Sequence, residues 1–335
     1  VQTIRLQYPQ LPAGVIAALF AVVLWAAAPL LIDLAAAIPP MQLTSISLLA
    51  GAVATVPLSM GKRTPLRSLT QGWAAIIYGL IPLLVLGAVG AYVFGLGMAP
   101  TAEAALITYT WPVLFIIISQ WLIHKRVLGS VLGGATIAFA GAAVLLGPDA
   151  IHNGISGHFA GYALALLAGC CWALYSWLCQ ITPVTLAPLM PIVFLIASAA
   201  AAGAGLVSGA TVEPPGAGPL AAGIALGVGP YGLAMVSWDS ALRAGATGLV
   251  GSLAYAVPVL AALFLVVAGT ATPDWRLPWR VYWLLRGPSW HQETHRFERP
   301  RSVLVRLDEK LNHPLVLIHD GQLKGCFSRF RLPHR

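Results

Sequence analysis

Residues 92–126, YVFGLGMAPTAEAALITYTWPVLFIIISQWLIHKR, decide the fold. They read as the end of one membrane helix, a turn of three or four residues, and a whole second helix. Thr101 to Ile123 is a 23-residue apolar run broken by one carboxylate, Glu103. At ~1.5 Å per residue such a run crosses a ~30 Å hydrocarbon core. The cluster His124-Lys125-Arg126 stops it at one face. Within it, Tyr109-Thr110-Trp111-Pro112 sets two aromatics before a proline. That proline removes a backbone donor at membrane depth, so the freed carbonyl needs a packed or wet neighbour.

Composition extends this reading to most of the chain. Of 335 residues 58% are hydrophobic and only 9% charged, with mean hydropathy +0.82. Soluble domains carry about a quarter charged residues, so this chain belongs in a bilayer. Nine spans are expected, at roughly 13–34, 41–59, 73–97, 101–123, 128–147, 159–181, 187–208, 219–242 and 246–269. The lead VQTIRLQYPQL lacks a small-residue cleavage site, so the first apolar run is expected to stay in the membrane. Before residue 270, Lys and Arg fall only on loops of one face: Arg5, Lys62, Arg63, Arg67, Lys125, Arg126 and Arg243. The positive-inside rule therefore puts the N-terminus in the cytoplasm of a bacterial-type inner membrane. The four cysteines form no disulfide or zinc pattern, and neither a metal nor any other cofactor is expected.

A second copy of the opening stretch follows. Adding 147 carries Gly14 to Gly161 and Trp25 to Trp172; adding 146 carries Thr101 to Thr247, Tyr109 to Tyr255 and Pro112 to Pro258. Five spans per copy is odd, so the second copy enters the membrane upside down. The expected fold is an all-α polytopic membrane protein built as an inverted repeat of five-helix units. One unit covers 12–147 and the other 159–275, with substrate held between them.

The second unit lacks its last helix. From Ala271 on comes ATPDWRLPWRVYWLLRGPSWHQETHRFERP, with no apolar piece long enough to cross, and residues 274–335 carry 12 Lys/Arg against 6 Asp/Glu. The chain's +8 is therefore mostly the tail's, and nothing points to nucleic acid. Three accounts of 276–335 stand open: an out-of-frame or disordered stretch, a Trp/Arg segment lying on the membrane, or an extra domain.

The repeated helix ending in Tyr-x-x-Pro, the tryptophan in the first span of each half and the His-Lys-Arg stop resemble the EamA-type drug/metabolite transporter superfamily over residues 12–275. The resemblance implies ten spans and export of small metabolites by alternating access. Its pocket would be lined by the first, third, fourth, sixth, eighth and ninth spans. Aromatic residues near the midplane favour the aromatic amino-acid exporter branch.

HExxH, GxxxxGK[ST] and GxSxG are absent, so an enzyme is not expected and transport would draw on a gradient. Candidate substrate contacts are Trp25, Tyr92, Tyr109, Trp111, Trp172, Tyr175, Trp238 and Tyr255, rings able to stack on an apolar substrate. The competing assignment for each is helix–helix contact. Pro112 and Pro258 are expected to kink their helices, with Thr108 available to cap a freed carbonyl. Asp239 and Arg243, four apart, form either an ion pair or a coupling site. Partners are the bilayer and a small molecule, in a monomer or homodimer. The competing function is a non-transporting membrane protein, either a damaged gene product or a lipid-binding scaffold.

Overall fold

The computed structural model describes residues 13–60, 70–125, 158–209, 213–244 and 247–269, with scattered positions between 127 and 140. In the C-terminal unit, Gln292–Arg335, two short strands are also described: Ile318–His319 pairs antiparallel with Gln322–Leu323. Most of the expected fifth span, the interrupted tenth and most of 276–335 lie outside the described residues.

Eight of the expected spans are helical. Six are long and apolar enough to cross a membrane: Ala13–Leu34, Pro40–Ser59, Gln71–Met98, Phe159–Ile181, Ala187–Val207 and Ala217–Arg243. The fourth and ninth are each interrupted, as Thr101–Thr108 plus Trp111–His124 and Thr247–Leu253 plus Ala256–Val267. Their outer faces carry leucine, isoleucine, valine and phenylalanine in the open, as lipid-facing helices do.

Named contacts fix the helix directions. Thr108 lies against Ala165 and Ser119 against Gln180, so the fourth and sixth spans run parallel. Trp238 meets Ser176 and Arg243 meets Thr182, so the eighth runs with them. The second also runs parallel to the eighth, with Leu43 against Gly223 and Gly51 against Gly227 and Gly232. The first starts where the eighth ends: a Cβ on Gly14 would lie 2.6 Å from the Ala244 Cβ. Spans one and three thus run against two, four, six and eight, the alternation a multi-pass chain requires.

Some features recur when the halves are exchanged. Gly161 meets Ala99 as Gly14 meets Ala244, at 2.7 Å for its added Cβ. The third span carries a π-helical turn at Ile76–Leu80, and the eighth carries one at Gly227–Leu233. Pro82 and Pro230 explain both turns, since each withholds the N–H that would close a regular turn. Between the second and seventh spans, Ser45 Oγ donates to the Ser198 carbonyl (3.1 Å) and Ser198 Oγ donates to the Ser45 carbonyl (2.8 Å). Two residues facing each other across a local two-fold axis make such a reciprocal pair.

Pro112 and Pro258 do more than kink. The chain leaves the helix for the two residues Tyr109-Thr110 and Ala254-Tyr255, then restarts with each proline in the first turn, where its missing N–H costs nothing. Thr108 caps nothing on its own span; its hydroxyl donates across to the Ala165 carbonyl at 3.1 Å. The sixth span can come this close because a Cβ on Gly169 would sit 3.1 Å from the Thr108 carbonyl oxygen. The fourth span ends as its basic cluster suggests, with Lys125 in the left-handed region at φ 56°.

The spacing Gly223-x-x-x-Gly227 joins helices within one chain. A Cβ on Gly227 would overlap the Ser47 carbonyl oxygen, and Ser47 Oγ donates to the Gly223 carbonyl at 3.1 Å. Gly227→Val is expected to force these backbones apart and destabilise the fold by about 1–3 kcal/mol or more. A thermal melt in detergent checks this; an unchanged Tm would show that the approach is not as close as described.

Candidate functional site

One cleft of about 570 Å³, counting the space at its mouth, opens among the helices. Its wall is Trp25, Ala28 and Pro29 from the first span, Ala88 and Tyr92 from the third, and Thr108, Tyr109 and Trp111 from the fourth. Trp172, Tyr231 and Val257 of the sixth, eighth and ninth complete it. These are the six spans the resemblance implies. Six of the eleven residues are aromatic and none is charged, so the cleft suits a flat, largely apolar ligand.

Local breaks make the room. The first span is interrupted at Ala27, where Pro29 lacks the N–H that would reach the Trp25 carbonyl. The fourth is interrupted at Tyr109-Thr110. Both interruptions border the cleft, and the rings flanking them are wall residues.

At its base four tryptophans from four spans meet. Trp25 lies 5.5 Å from Trp172 in edge-to-face geometry and 5.0 Å from Trp238, ring centre to ring centre. Trp111 lies 6.0 Å from Trp25 and 5.6 Å from Trp238, again edge to face, and 6.4 Å from Trp172. Ring quadrupoles favour these tilted arrangements over flat stacking, each worth about 0.5–1.5 kcal/mol beyond burial. Trp238 is fully buried and its indole N–H donates to Ser176 Oγ at 3.0 Å. It is the base of the cluster and not part of the wall.

Trp25, Tyr92, Tyr109, Trp111 and Trp172 therefore stand on the cleft, whereas Tyr175, Trp238 and Tyr255 stand behind it. Tyr175 touches Trp172 at 6.1 Å but is fully buried, and Tyr255 is almost so. Pro112 and Pro258 are buried beside the breaks. Asp239 and Arg243 lie farther toward the basic end and form an ion pair at 2.9 Å. Tyr231 is the wall residue that sequence undervalues, because it sits inside the π-helical turn.

Two polar atoms of the wall residues, Trp25 Nε1 and Tyr231 Oη, are buried without a hydrogen-bond partner. Buried polar groups left unpaired cost free energy and call for an explanation. Among the described residues no group of His, Cys, Asp or Glu is spaced to hold a metal ion.

Residues 12–147 match the EamA-like transporter family. Over 255 residues the chain is 32% identical to a protein of Ancylobacter novellus named aromatic amino acid exporter YddG, covering 76% of this chain and 88% of that one. A solved crystal structure superposes with a TM-score of 0.70 at 30% identity, covering 82% of this chain and 95% of that one. With an all-helical, multi-pass body around an aromatic cleft, this chain belongs to the EamA-like transporter family, whose members move small molecules across membranes.

Proposed function

We propose that the protein exports aromatic amino acids by alternating access, from the cytoplasm across a bacterial inner membrane. The observation that carries this reading is the uncharged aromatic cleft, walled by six spans and floored by four tryptophans. A substrate ring would lie among Trp25, Trp111 and Trp172. Its carboxylate would take the two wall donors buried without a partner, Trp25 Nε1 and Tyr231 Oη, once the helices shift enough to expose them. Its ammonium would lie over the indole faces, an attraction of ~2 kcal/mol when water is excluded. The printed name of the Ancylobacter novellus relative supports the same substrate class.

Cells expressing the chain should tolerate several-fold more of a toxic fluorinated phenylalanine than cells carrying an empty vector. Equal growth inhibition at verified membrane expression would rule out this substrate class.

A further inference from the structure

At the basic end of the eighth span, Arg243 commits all three guanidinium nitrogens. Nε donates to Asp239 Oδ1 at 2.9 Å, one terminal nitrogen to the Thr182 carbonyl at 3.1 Å, and the other to the Val184 carbonyl at 2.6 Å. Asp239 Oδ2 in turn accepts from the Leu186 backbone N–H at 3.2 Å. The connection between the sixth and seventh spans is thus tied to the eighth at three points. Asp239 is 1% exposed, the one carboxylate fully buried among the described residues, and Arg243 is 21% exposed at the rim. A planar fork reaching one carboxylate and two carbonyls is a geometry that lysine cannot copy.

The network lies in series with the cleft. Behind the Trp25–Trp238 floor come Tyr175, Ser176 and Cys179, each 0% exposed, and behind them Asp239 and Arg243. The repeat supplies an internal control. The third span, Gln71–Met98, is the counterpart of the eighth and carries no Asp, Glu, Lys or Arg, so it can form no such ion pair. The tie to the eighth span therefore has no ionic counterpart on the third.

We propose that Asp239 and Arg243 are positioning residues for transport: they latch the Thr182–Leu186 connection to the eighth span and hold the basic end shut. Releasing this latch opens the substrate's path on that side. The inference rests on the alternating-access reading. It makes the two gates unequal, since among the described residues the ion pair stands at the basic end alone, so that the conformation closed at the basic end is the resting one.

Cys179 is a built-in reporter, three residues before Thr182 and fully covered. In full-length protein purified in detergent, with the other three cysteines replaced, N-ethylmaleimide should modify Cys179 slowly. Arg243→Ala should raise that rate at least tenfold and Arg243→Lys by an intermediate factor, since lysine keeps the charge but cannot reach both carbonyls. A parallel chain keeping only Cys171, which packs against Gly87 away from the network, should react at an unchanged rate in the same variants. Equal rates for Cys179 with and without Arg243 would overturn the latch. So would a joint rise of Cys179 and Cys171, the signature of general loosening. Arg243→Lys keeps the test valid if Arg243→Ala fails to fold. Export of aromatic amino acids by the unmodified chain is scored separately: its absence counts against the transport reading and leaves the labelling result to decide the latch.

Discussion

Replacing Trp172 with alanine is expected to lower export of an aromatic amino acid at least about tenfold while leaving the protein in the membrane. Trp172 is the sixth span's contribution to the cleft wall, and its ring touches Trp25, Trp111 and Tyr175. Truncating a buried tryptophan costs about 3–5 kcal/mol where the surroundings cannot collapse. Here the loss falls on a cleft edge, so much of it is lost ligand contact. Central aromatic residues of binding sites commonly contribute ~2 kcal/mol or more each. Trp172→Phe, keeping a ring, should retain most of the activity. Membrane content measured on the same cells separates the outcomes: unchanged export by Trp172→Ala at equal expression removes this residue from the site.

Tyr231→Phe tests the polar half of the site and predicts effects of opposite sign. Tyr231 Oη is buried without a partner, and an unsatisfied buried hydroxyl costs about 1–3 kcal/mol. Removing it should leave the Tm unchanged or raise it. If the hydroxyl is kept for the substrate's carboxylate, the apparent affinity should fall roughly 5–10-fold, about 1–1.4 kcal/mol. A melt and a titration of transport against substrate concentration measure the two separately. A lower Tm with unchanged affinity would mean that the hydroxyl serves the fold.

Much of this architecture is legible in the sequence because bilayers impose length and composition. The 23-residue run after Pro100, the matched Gly14 and Gly161, and the paired Tyr-x-x-Pro motifs each correspond to a definite structural feature: a span, a close helix crossing, a helix break. The spans that wall the cleft follow from the family resemblance. Which ring faces the cleft does not. Tyr175 shares a helix face with Trp172 at a spacing of three, yet lies one turn deeper, against Cys179 and Trp238's partner Ser176. Face is periodic in sequence and depth is not. Tyr231 escapes periodicity altogether, since the π-helical turn at Gly227–Leu233 shifts the phase of the eighth span. The room in the cleft comes from Ala28, Pro29 and Ala88, residues whose contribution is their small size or missing donor. Arg243 shows the same limit: a spacing of four announces its bond to Asp239, whereas its hold on the Thr182 and Val184 carbonyls exists only after folding.

The most direct test of the central claim is counterflow in proteoliposomes containing the purified full-length chain. Vesicles preloaded with unlabelled phenylalanine should accumulate external labelled phenylalanine above its equilibrium level, and Trp172→Ala vesicles should not. A carrier that alternates between two accessible states gives this overshoot without any imposed ion gradient. Folded protein giving no overshoot with phenylalanine, tyrosine or tryptophan would contradict alternating-access transport of aromatic amino acids by this chain.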